Sequence, residues 1–170
     1  RSGPARPQGV RDHPEAVLKL GNALEALADD QPAESPARVS GTARARELYV
    51  RAQDAQVAAL ERWPDDAGLL DDLCYSAARL GGMDLRDGRL AQGASAYERR
   101  LELAQRLRDR EPDNPMRRHN VNNAHSLLAK VHLEAGRPDA ALTHARLAAA
   151  GAEPLAHEHP GRTQFMMEFV

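Results

Sequence analysis

Three prolines, Pro64, Pro112 and Pro160, are separated by 48 residues and then by 48 again, and this internal period constrains the fold more than any other feature of the chain. Shifting the sequence by 48 lays Asp65 on Asp113, Leu73 on Val121, Leu80 on Leu128, Met83 on Val131, Leu85 on Leu133 and Gly88-Arg89 on Gly136-Arg137. Towards the N-terminus Tyr49 falls on Tyr97 and Arg51 on Arg99. Where identity is lost the apolar class is often kept, as a unit repeated for packing requires. Composition says what the unit is made of: 31 Ala and 21 Leu against 8 Val, 3 Thr and no Ile favour helix and leave little material for a sheet. The expected class is all-α.

Each unit divides into two helices. After Pro64, the aspartates Asp65 and Asp66 suit a helix N-terminus, and Gly88 is placed to end that helix in a left-handed cap. A second, antiparallel helix runs from Gly93 towards Pro112, with Tyr97, Leu101, Leu103, Ala104 and Leu107 at near-helical spacing. In the next unit Val121, Ala124, Leu128, Val131 and Ala135 advance by three and four, Gly136 closes the helix, and Pro138 opens its partner, where a missing N–H costs nothing. The first unit is less regular. Its helices are expected over Pro14 to Asp30, with Val17, Leu20, Leu24 and Leu27 on the packed face, and over Thr42 to Trp63. Between them, residues 31–41 read as a long loop with two prolines that breaks the 48-residue register.

The predicted organisation is a flexible linker over residues 1–12, rich in Pro, Gly and Arg, and a repeat domain over 13–170. Its units lie at about 14–63, 64–111 and 112–159, with a truncated fourth from 160. In that last stretch Phe165, Met166, Phe169 and Val170 form an apolar set suited to self-association, and the chain is expected to be a slice of a longer protein.

The two-helix units and their small residues resemble the tetratricopeptide repeat family. Val17, Leu20-Gly21 and Leu24 match the family's first helix, and Ala45, Tyr49 and Ala52 its second. In the next unit Ala77, Leu80-Gly81, Gly93 and Tyr97 match, while Asp84 and Arg100 depart from the pattern. His125, Leu128-Ala129, His132, Ala141, Ala145 and Ala148 hold the corresponding places in the third. The resemblance implies a right-handed solenoid of antiparallel helical hairpins. The family repeat is about 34 residues, so this one is longer by about four helical turns, two on each helix, which preserves the packing face. Such lengthened repeats are similar to those of bacterial multidomain signalling proteins, where they stand beside kinase, protease or nucleotide-binding modules.

No catalytic constellation is legible. The only lysines, Lys19 and Lys130, lie outside any P-loop context, and no Gly-rich phosphate motif, nucleophile elbow, H-E-x-x-H or C-x-x-C is present. Cys74 is the sole cysteine and reads as a buried, inert thiol. His125 and His132 lie seven apart on one helical face and could share a metal only with a third ligand from a neighbouring helix, so packing is the stronger reading. His157-Glu158-His159 has too few ligands for a metal, and Arg99 to Arg110, interleaved with Glu102, Asp109 and leucines, reads as a solvated face of ion pairs. No catalytic residue, metal or cofactor is therefore predicted. A formal charge of −2 argues against nucleic-acid binding, and no long apolar run calls for a membrane. A lone cysteine and no signal peptide give a cytoplasmic expectation.

The resemblance also implies a concave groove lined by the first helix of each unit. Its candidate partner-binding residues are Asn22 and Glu25 in the first unit, Tyr75 and Arg86 in the second, and Asn123, Ser126, Lys130 and Glu134 in the third. Asn22 matches one member of the clamp with which chaperone-binding relatives hold a C-terminal carboxylate, but Leu18 stands where the clamp has a lysine. The expected function is a protein-protein interaction module that binds a peptide or a partner domain. The alternative is the regulatory C-terminal region of a signalling enzyme, such as a bacterial serine/threonine kinase, whose catalytic domain lies outside this chain.

Overall fold

The computed structural model describes residues 8–162, with side chains from Val17 onward, so Phe165, Met166, Phe169 and Val170 lie outside the described residues. Six helices and no strands are found among the described residues. They are α1 (Gln8–Asp29), α2 (Pro36–Arg62), α3 (Ala67–Arg86), α4 (Leu90–Arg110), α5 (Pro115–Glu134) and α6 (Pro138–Glu158). None is long and apolar enough to cross a membrane.

The helix boundaries follow from local chemistry. Ser35, Asp66 and Asn114 each cap a helix: their side-chain oxygens accept from the backbone N–H groups of Arg38 (3.2 Å), Leu69 (3.0 Å) and Met116 (3.0 Å). Pro36, Pro115 and Pro138 sit in the first turn, where no intrahelical donor is lost. Gly88 and Gly136 have φ of +72° and +68°, and the same pair of hydrogen bonds surrounds each. Gly88 N–H donates to Leu85 C=O and Arg89 N–H to Asp84 C=O, at 3.0 and 2.8 Å; Gly136 and Arg137 repeat this on Leu133 and His132 at 3.0 and 2.9 Å. A residue with a Cβ is strained at that φ, which fixes both positions as glycine.

Two sequence expectations change at the N-terminal end. Helix α1 begins at Gln8, so residues 8–12 belong to it and not to the linker. Pro14 is an interior proline, which deletes one hydrogen bond without ending the helix, as Pro154 also does within α6. The long loop read over residues 31–41 is shorter, because α2 starts at Pro36. The Ser35-Pro36 pair is a helix-start signal, and Arg38 ties the remaining turn down by donating to the carbonyls of Asp29 and Gln31. Gly41, read as a loop residue, lies in α2 over Ala28, where a Cβ would come within 2.9 Å of the Ala28 methyl.

The contacts divide the chain into two compact units at the Leu80–Gly81 bond, inside α3. In the first, α1 and α2 run antiparallel: Gly21 meets Tyr49 and Ala28 meets Gly41. The buried face of α1 is Leu18, Gly21, Glu25 and Ala28, one residue on from the expected Val17, Leu20, Leu24 and Leu27. Leu20 and Leu27 are 53% and 62% exposed. The rotation follows from the small residues: Gly21 lies against the Tyr49 ring and Ala28 against Gly41, so α2 approaches closely on this face.

In the second unit the start of this unit's α3 segment and α4 are antiparallel, with Gly81 beneath the Tyr97 ring and Gly93 near Asp84. Ala94 and Tyr97 of α4 pack with Leu128 and Val131 of α5, flanked by Leu85, Leu90, Leu101 and Leu127. Helices α5 and α6 are antiparallel as well. Arg118 pairs with Glu158 at 2.7 Å, Asn122 fits over Gly151, and His125 meets His144.

Candidate binding site

The first unit holds an open cleft of about 380 Å³, lined by Leu18, Lys19 and Asn22 of α1 and Asp71, Asp72 and Tyr75 of α3. Its floor is a buried polar network. Glu25 is 1% exposed and takes two donors from Arg79 on one oxygen, Nη2 at 2.6 Å and Nε at 3.0 Å. The Tyr49 hydroxyl lies 2.8 Å from the same Glu25 Oε2 and 2.7 Å from Asn22 Oδ1, so its single proton serves two acceptors in turn. The Tyr75 hydroxyl donates to Asn22 Oδ1 from the other side at 3.0 Å. The Arg79 guanidinium stands 6.0 Å from the centre of the Tyr75 ring, within cation–π range.

This network shapes the site's electrostatics. Burial, and then the Glu25 carboxylate, push the Tyr49 hydroxyl well above the ordinary tyrosine value, so it remains a neutral donor. For Arg79 burial pulls downward, but the Glu25 and Tyr49 bonds outweigh it and hold the guanidinium above its ordinary value. A buried carboxylate with a cation and a hydroxyl on it is a satisfied charge. Asn22 and Tyr75 are the members that reach the cleft: the Asn22 Oδ1 accepts from Tyr75 and, in turn with Glu25, from Tyr49, which leaves its Nδ2 as the donor edge.

Of the predicted groove residues, Asn22, Glu25 and Tyr75 are brought together here, with different roles. Asn22 and Tyr75 line the cleft. Glu25, expected as an exposed groove side chain, is instead buried beneath it, because Arg79 and Tyr49 neutralise and bond its carboxylate. Leu18 lines the apolar part, and Lys19 next to it supplies the cation. Asp71 and Asp72 are half-buried cleft residues. Their spacing to Tyr75 on one helix was a usable signal; Arg79 carried none, since its partner is 54 residues away.

The remaining candidates belong to the second unit. Asn123, Ser126, Lys130 and Glu134 advance along one face of α5, the first two half-buried and the last two exposed. Ser126 Oγ is engaged by its own helix, donating to the Asn122 carbonyl at 3.3 Å. Arg86 is exposed at the end of α3. Burial pushes the Tyr97 hydroxyl above its ordinary value, while the nearby Arg100 and Arg86 pull it down and Glu134 and Asp84 push it up, so Arg86 and Glu134 share one neighbourhood. Cys74 is buried. His125 and His132 are joined by a third ring, His144 of α6, with a 3.0 Å contact between the Nδ1 atoms of His125 and His144. Glu158, of the His-Glu-His cluster, is committed to Arg118.

No family model matches the chain, and no curated protein matches it.

Proposed function

We propose that this chain is a non-catalytic interaction module, a tetratricopeptide-like solenoid of helical hairpins that binds a peptide, or an extended segment of a partner domain, in the cleft of the first unit. The observation that carries the reading is the state of Asn22. Two tyrosine hydroxyls hold its Oδ1 above a neutralised Glu25–Arg79 pair, and its donor edge is left for an acceptor in the cleft. A side-chain amide fixed in this way suits a peptide carbonyl, at a net gain of about 1 kcal/mol per hydrogen bond. Tyr75, 41% exposed, adds an aromatic surface of the kind that anchors interfaces. Lys19 beside Asp71 and Asp72 gives the cleft both signs of charge, which suits a polar backbone segment better than a highly charged ligand. The solenoid reading is supported by the glycine cap that recurs at the 48-residue period, and by a tyrosine ring on a glycine in each unit, with the rings 48 residues apart and their glycines 60.

The test uses the whole chain as bait for a random peptide library. Peptides selected on it are expected to lose affinity by about tenfold in Asn22→Ala and in Tyr75→Ala, the loss of roughly 1.4 kcal/mol of contact. Leu147→Ala, an exposed position on α6, should leave affinity unchanged. Selected peptides that bind all three variants equally would overturn the assignment of the cleft.

A further inference from the structure

We propose that the cluster of His125, His132 and His144 is an acid-sensitive latch, which holds α6 on α5 while its rings are neutral and releases the pairing when they are protonated. The geometry requires at least one of the paired rings to be neutral. A 3.0 Å contact between the Nδ1 atoms of His125 and His144 is a hydrogen bond only if one ring donates its N–H and the other accepts with its lone pair. One added proton is compatible with that bond; a second removes the acceptor and leaves two cations in contact. The third ring, His132, stacks on His144 with centroids 5.3 Å apart and planes 17° from parallel. Its Nδ1 is buried without a hydrogen-bond partner, so a proton added there carries an unsolvated charge. His125 and His132 are only 9% and 8% exposed.

The surroundings point the same way. Burial is the largest influence on all three rings and holds each below the ordinary histidine value. His144 acts against the charged forms of His125 and His132, and Arg137, in the α5–α6 turn, against that of His132. Glu98 of α4 is the one opposing charge, favouring protonation of His132 and His144. Because the folded rings bind protons less readily than unfolded ones, their contribution is complete above the ordinary value of about 6.5 and is lost as pH falls through the folded values. A metal does not fit as the ligand. The stacked His132 and His144 rings do not aim their lone pairs at one point, and among the described residues no group of three His, Cys, Asp or Glu is placed to hold an ion.

The experiment compares thermal unfolding of the full chain at about pH 7.5 and about pH 5 in the wild type, His144→Gln and His157→Gln. Glutamine keeps a donor and an acceptor at position 144 without titrating, and His157 is an exposed histidine on the same helix. The wild-type Tm is expected to fall on acidification, His144→Gln to lose about half of that fall or more, and His157→Gln to retain it. Equal falls in all three proteins, or no fall in the wild type, would overturn the latch. Nitrogen-15 ring spectra of the wild type decide the matter even if His144→Gln fails to fold. One of His125 and His144 should carry its proton on Nδ1 at neutral pH, and both carrying it on Nε2 contradicts the proposal.

Discussion

Tyr49 and Tyr97 stand at the same place in successive repeats, each with its ring over a glycine of the preceding helix, yet they are embedded differently. Around Tyr49 the neighbours are Asn22, Glu25 and Arg79, a polar network that opens into a cleft. Around the Tyr97 ring they are Ala94, Leu128 and Val131, the apolar core of the second unit. Glycine and ring are what packing two helices requires; the rings keep the 48-residue period, while their glycines lie 60 residues apart. Beyond that contact the hairpins diverge: the Tyr49 hydroxyl is hydrogen-bonded to Asn22 and Glu25 and supports a candidate binding site.

The comparison is broken most severely by removing the cation. Arg79→Met strands Glu25, almost fully buried, without its counter-charge, and should destabilise the chain by about 3 kcal/mol, the lower end for a buried pair because the arginine itself is half-exposed. Urea unfolding at neutral pH measures it. Next come the two glycines. A Cβ at Gly81 would stand 2.6 Å from the Tyr97 ring, against 3.2 Å for Gly21 and Tyr49. Gly81→Ala is therefore expected to cost about 2 kcal/mol by overpacking. In Gly21→Ala the lesser clash is offset by alanine's helix propensity of about 1 kcal/mol, and the change should be near neutral. Equal costs for the two would mean that the rings are not held as described. The hydroxyls give the smallest effects. Tyr49→Phe removes a donor from buried Glu25 and should cost about 1 to 2 kcal/mol. Tyr97→Phe is expected to cost less, because no buried carboxylate among the described residues loses a donor with it.

The sequence carried the helical class, the 48-residue period and the caps at Gly88 and Gly136, because these depend on composition and on a backbone conformation that only glycine takes cheaply. It misplaced the packed face of α1. Leu20 and Leu27 outweighed Gly21 and Ala28 in an apolar pattern, whereas close approach is set by the small residues and not by the large ones. The start of α2 was missed although Ser35-Pro36 announces it. Glu25 was read as exposed since nothing near it in sequence supplies a cation; its partner Arg79 comes from α3. The histidine cluster was half legible. His125 and His132 were placed on one face in a packing role, with a third ligand required only if they held a metal, and His144 was not singled out. Its spacing from Ala141 and Ala148, both buried, puts it on the packed face of α6 and was the available signal.

The central claim is that the first unit's cleft is where a partner segment binds. The most direct measurement is chemical-shift mapping of a library-selected peptide on the full, isotope-labelled chain. The account predicts that the largest perturbations fall on Lys19, Asn22, Asp71, Asp72 and Tyr75, with the Arg79 guanidinium shifting alongside them. Perturbations confined to the exposed apolar side chains of α2 and α6, such as Val39, Val57, Leu142 and Leu147, would contradict it.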